Sequence, residues 1–196
     1  MFHRATGKIV EQLTISGIIQ SEKKELYRYG INQLLNNMFS LLTFFIIGIL
    51  LKGVIYALIF LMAYFPQRVY AGGFHASTAF RCWILSSGLL VLVLLTVNYA
   101  PIPPILYDLF ACLSIAVIII MMPIEDANKP LDEKEIQVYK KRGVIVLILE
   151  ILIFILFRYF QLDRVAESLA MAWISLSILL LLGNIKNKKN KEDVNE

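Results

Sequence analysis

The sequence predicts an all-α integral membrane protein, a polytopic helical bundle with about six membrane segments. Three observations predict it. First, 58% of the 196 residues are hydrophobic, against about 45–50% in soluble domains, and the mean hydropathy is +0.69. Second, the apolar residues lie in long blocks, as chains that cross a hydrocarbon layer about 30 Å thick require. Third, Lys and Arg collect in alternate connections between those blocks, which is how bilayer-spanning chains are oriented.

The chain reads as one transmembrane domain over residues 1–185, with an N-terminal amphipathic or cytoplasmic cap, followed by a Lys-rich tail over 186–196. Residues 1–28 mix Lys, Glu and Arg among short apolar runs. Lacking a continuous apolar core, they do not read as a cleaved signal peptide. Within them, IVEQLTISGIIQ is apolar at positions 9, 10, 13, 15, 18 and 19. That pattern fits either an interfacial helix or an ordinary cytoplasmic cap.

The membrane segments follow in order at 34–51, 53–67, 83–99, 102–122, 143–157 and 168–185. The second holds only 15 uncharged residues, so it is either short or the return arm of a re-entrant pair with the first. Between the third and fourth, YAPIPP makes a tight, uncharged turn. Between the fourth and fifth, MPIEDANKPLDEKEIQVYKKRG carries mixed charge. It reads as a solvated helical connector with a turn at its NKP step. The tail is polar and is expected to be unstructured.

Orientation follows from the cations. With the N-terminus in the cytoplasm, 16 of the 19 Lys and Arg residues fall inside and only Lys52, Arg158 and Arg164 fall outside. Both termini and the 68–82 loop are then cytoplasmic. A re-entrant first pair would leave the later loops on the same sides. Two carboxylates lie within segments. Asp108 is near the outer edge, within reach of water. Glu150 is mid-span and expected to face the bundle interior, as either a structural pair or part of a substrate path.

The net charge of +4 is spread between apolar blocks and forms no basic stripe, so nucleic acid is not an expected partner. Two cysteines, Cys82 and Cys112, cannot build a disulfide framework. Cys112 sits in the apolar run LYDLFACLSIAVIII and reads as a small buried hydrophobe. With two histidines, His3 and His75, zinc lacks ligands, and no metal or other cofactor is expected.

Cys82 stands apart. It ends the loop PQRVYAGGFHASTAFRCW, at the membrane edge, seven residues after His75. Thiol chemistry needs a nucleophile and a base, and this pair supplies both. Arg68 and Arg81 bring cations that suit a thiolate. Gly72 and Gly73 can present backbone N–H groups close to a substrate, as an oxyanion site requires. On one straight helix, however, two residues seven apart are separated by about 10 Å along the axis. Proton transfer needs roughly 3 Å. So either His75 lies on a loop that folds back, with the next helix starting near Ser77 or Thr78 as its cap, or the pair is completed across a dimer.

The pairing of RVYAGGFHASTAFRC with the later MPIEDANKPLDEKE, preceded by ELYRYGINQLLNN, resembles the accessory gene regulator protein B family, AgrB. The likeness runs from about Ile9 to the sixth segment, in order and with matching hydropathy. It implies a membrane cysteine endopeptidase of a Gram-positive bacterium. Such an enzyme removes the C-terminal tail of a quorum-sensing propeptide, AgrD, through an acyl-thioester. The propeptide's own Cys or Ser then closes a thiolactone or lactone ring. By motif position, the resemblance makes Cys82 the nucleophile and His75 the general base. Arg68, Gly73 and Lys129 match further family positions, and Asn128 and Asp126 are candidates for a third member by chemistry alone. The implied partners are an AgrD-like propeptide, the lipid bilayer and a second copy of the chain. The competing reading is a peptide exporter in which Cys82 is incidental; the absence of a Walker motif disfavours transport driven by this chain's own ATP hydrolysis.

Overall fold

The computed structural model describes residues 3–74, 78–124 and 131–195. His75, Asp126, Asn128 and Lys129 therefore lie outside the described residues. Among those described, the fold is all-helical, with seven α-helices and one short 3-10 turn over Ser21–Lys23. The α-helices are α1 His3–Ile15, α2 Lys24–Leu50, α3 Val54–Ala71, α4 Ala79–Tyr99, α5 Pro104–Met121, α6 Glu133–Tyr159 and α7 Asp163–Asn195.

Five of them, α2, α3, α4, α5 and α7, are long and apolar enough to cross a membrane. The fifth expected segment, 143–157, lies in α6, where its charge-free parts are divided by Glu150 and bounded by Arg142 and Arg158. The second segment is a full helix: α3 continues four residues past Gln67, through Arg68 to Ala71. Its 18 residues rise about 27 Å at the usual 1.5 Å per residue, close to the hydrocarbon thickness. The tail does not match its expected lack of structure. Helix α7 carries on unbroken to Asn195, because no Gly or Pro follows Gly183 to stop it.

Local sequence accounts for the helix ends. Thr78 caps α4, its hydroxyl accepting from the Arg81 N–H at 3.2 Å, which fits the expected start near that residue. Asp132 and Glu135 form a reciprocal capping box at the start of α6. Pro104 opens α5, where its missing N–H costs nothing. Between α2 and α3, Lys52 takes a positive φ of 51°, and the Asn98 amide of α4 donates to the Leu51 carbonyl at 2.9 Å. The N-terminal stretch is a helix packed on α2. It buries Thr6 and Val10 while Ile9 and Ile15 stay exposed.

Helix α7 is the hub. Its apolar stretch is 67% buried, whereas those of α2 to α5 are 17–28% buried. It packs against α3, α4, α5 and α6. The outer helices thus leave most of their Leu, Ile and Phe side chains uncovered by protein, the arrangement expected where hydrocarbon rather than water surrounds the bundle. Several polar groups inside it are hydrogen-bonded, although Gln67 Oε1 and Glu150 Oε1 have no hydrogen-bond partner among the described residues. Glu150 faces the interior at 6% exposure and accepts from the Trp173 indole N–H at 2.8 Å. The Ser177 hydroxyl of α7 donates to that of Ser114 on α5 at 3.1 Å. At the opposite end from the Arg68 loop, Arg158 bridges Asp108 and Asp163 at 2.7 and 2.8 Å. One of the three cations assigned to the outer side is therefore tied to two carboxylates.

Candidate functional site

The site forms where α3 ends and α4 begins. Helix α3 stops because Gly72 adopts φ 72° and ψ −140°, a conformation open essentially only to glycine. Gly73 follows at φ 109°. The Gly72 N–H donates to the Arg68 carbonyl at 3.1 Å, closing the last turn of α3. Of the two glycines proposed to present N–H groups to a substrate, Gly72 has its N–H engaged in that cap.

Arg68 sits one turn back and reaches over the turn it precedes. Its guanidinium donates to the Gly72 carbonyl at 2.6 Å and to the Phe74 carbonyl. The planar fork that suits a carboxylate thus grips two backbone carbonyls, and shapes the chain that leads into His75. A lysine at this position has no such fixed fork. Loss of one hydrogen bond to a charged group amounts to about tenfold or more in an equilibrium. Arg68→Lys is therefore expected to loosen the 72–74 turn by at least that factor, measured as faster hydrogen exchange of the Phe74 amide. Unchanged exchange would show that only the charge matters.

Two further elements hold the turn. The Ile124 N–H donates to the Ala71 carbonyl at 2.9 Å, and Gly72 and Ile124 form an isolated parallel bridge. This brings the GGF turn beside the start of the PIEDANKP motif, so the two loops singled out in the sequence meet. From α7, the Leu179 carbonyl accepts the Phe74 N–H at 3.0 Å, and Lys186 places its ammonium over the Phe74 ring, 5.1 Å from the centroid.

Cys82 lies in the first turn of α4 and is exposed. Its N–H donates to the Thr78 carbonyl at 3.0 Å. The neighbouring Trp83 fastens this end of α4 to α2, its indole N–H donating to the Thr43 hydroxyl at 3.2 Å. Tyr64 of α3, one turn before Arg68, lies within electrostatic reach of both the Arg68 guanidinium and the Cys82 thiol. Sequence reasoning passed over it, although the i, i+4 spacing from Tyr64 to Arg68 puts both on one face of α3. Cys112 is exposed, not buried as its apolar run suggested, because most of α5 is left uncovered by protein, and it lies on a different helix from the other candidates.

The sequence pattern of the accessory gene regulator B family matches residues 3–182. The chain belongs to the AgrB family. Two relatives from Clostridium perfringens are named only by their likeness to AgrB. One, from strain SM101, is 25% identical over 204 residues, covering 94% of each chain. The other, from strain 13, is 22% identical over 169 residues, covering 80% of this chain and 79% of its own length. No solved structure matches. Membership ties this membrane protein to accessory gene regulation and, in general terms, to AgrD propeptide processing.

Proposed function

We propose that this AgrB-family chain is a cysteine endopeptidase that cuts the C-terminal tail from an AgrD-like propeptide and promotes closure of the remaining peptide into a ring. The observation that carries the reading is the exposed Cys82 in the Thr78-capped first turn of α4, within the matched family region and seven residues after His75. In this reading the Cys82 sulfur attacks the scissile carbonyl. His75 takes the thiol proton and returns it to the leaving amine. The tail departs with a free amino end, and the rest of the propeptide stays as a thioester on Cys82. A Cys or Ser of the propeptide then attacks that thioester, forming the thiolactone or lactone and restoring the Cys82 thiol. Gly73 presents the N–H that faces the oxyanion, since the Gly72 N–H caps α3. Lys129 belongs to the substrate-binding part of the same proposal.

The reaction is placed at the cytoplasmic face of the cell membrane. The support is the distribution of cations. The end of the bundle that carries Arg68 and the GGF turn also carries Lys140, Lys141, Arg142, Lys186 and Lys188, which the positive-inside rule puts in the cytoplasm. In proteoliposomes with the purified chain and its cognate propeptide, tail release is expected without any nucleotide. Single cysteines introduced at positions 140 and 188 are expected to react only from the cytoplasmic side of cells. Nucleotide-dependent uptake of uncut propeptide would instead favour an exporter, and external labelling would invert the orientation.

A further inference from the structure

We propose that Gly183 of α7 is a positioning residue, the seat on which the backbone turn leading into His75 is held. The proposal rests on the peptidase reading above and adds to it a residue from the far end of the chain.

Four contacts converge on the 72–74 turn. Arg68 holds its carbonyls from one side, and Ile124 bridges Gly72 from another. From below, α7 offers the Leu179 carbonyl to the Phe74 N–H at 3.0 Å. One turn further along α7, Gly183 is buried directly against the turn. A Cβ there would lie 2.7 Å from the Phe74 nitrogen and 2.8 Å from the Gly73 carbonyl carbon. Both are backbone atoms, and Arg68 and Ile124 hold the neighbouring residues, so they cannot swing aside as the tip of a long side chain would. A methyl group at position 183 must instead lift the turn away from α7. Gly73 is fitted to the same contact: its own added Cβ would strike the Arg68 guanidinium and come 3.1 Å from the Leu179 carbonyl oxygen.

The consequence is geometric. His75 is joined directly to Phe74, and Cys82 sits on α4, whose first turn is anchored separately by Thr78 and Trp83. Lifting the 72–74 turn therefore moves one side of the proposed dyad relative to the other. Proton transfer is intolerant of such a change, and a misplacement of about 1 Å costs on the order of 100-fold in rate. Substrate affinity need not change, because the shift alters the approach of base to nucleophile.

The test is steady-state tail release by the purified full chain in detergent or proteoliposomes, with Gly183→Ala, Gly88→Ala and Cys82→Ala compared with wild type. Gly88, on α4, has open space around it and serves as the matched control. For Gly183→Ala, kcat is expected to fall about 100-fold with KM within about a factor of two; Gly88→Ala should resemble wild type. An unchanged kcat overturns the proposal. So does a raised KM with kcat intact, which would make Gly183 part of the substrate site. Should Gly183→Ala fail to accumulate, hydrogen exchange of the wild-type Phe74 amide decides: slow exchange supports the seat, and exchange at the unprotected rate overturns it. If Cys82→Ala cleaves as well as wild type, the peptidase reading has failed, while the exchange result still reports on the seat.

Discussion

Cys82→Ala is expected to stop tail removal and ring closure together, a loss on the order of 10⁴ or greater, while leaving the protein folded in the membrane. The size follows from chemistry. Without the thiol no thioester forms, and the ring-closing attack then has no activated acyl group to meet. Folding is spared because Cys82 is exposed and its backbone N–H, not its side chain, makes the helical bond to the Thr78 carbonyl. Changes at exposed positions away from packing features usually fall within about 0.5 kcal/mol. His75→Ala is expected to match it through loss of the base. Cys112→Ala, on the exposed face of α5, is expected to process normally. Tail release followed by gel shift, with the cyclic product followed by mass, separates these outcomes from a fold defect read as lost membrane protein.

Gly72→Ala is the second large effect, and it acts on structure first. The backbone at φ 72° and ψ −140° costs a non-glycine residue about 1–3 kcal/mol. Independently, the new Cβ would be driven into the Ile124 carbonyl oxygen, across the bridge that joins the two motif loops. The variant is expected to melt several degrees below wild type in detergent, a shift consistent with a cost of that size, and to process little propeptide even when folded. Gly88→Ala, with no neighbour to strike, should show neither loss. A Gly72→Ala protein with wild-type melting and activity would mean that the turn is not held as described.

Much of this architecture was legible in the residues. The apolar blocks became helices near their expected places, and Thr78 caps α4 as its position suggested. The glycine pair marked the turn where positive φ is needed. Hydropathy could not reveal that α7 is the hub. A span facing protein and a span facing hydrocarbon are equally apolar, so the run SILLLLG looks like its neighbours until packing is known. The hint lay in the small residues of α7, Ala166, Ser168, Ala170, Ala172, Ser175, Ser177 and Gly183, all buried, of the kind that permits close helix approach. Arg68 shows the other limit. Its fork was legible, but what the fork would meet was not, because carboxylates and backbone carbonyls satisfy the same donors. The tail was misread because its charge suggested a solvated coil, whereas Lys, Asn and Glu there simply extend the α7 helix.

The central claim is the covalent step at Cys82, and trapping it is the most direct test. A propeptide whose internal Cys or Ser is replaced by Ala cannot close the ring, so the acyl group should remain on the enzyme. Mass spectrometry of the purified chain after reaction is expected to show an adduct equal to the tail-less propeptide, mapped to Cys82 and released by hydroxylamine as a thioester. Tail release at the normal rate with no adduct on Cys82, or an adduct that persists in Cys82→Ala, would contradict the account.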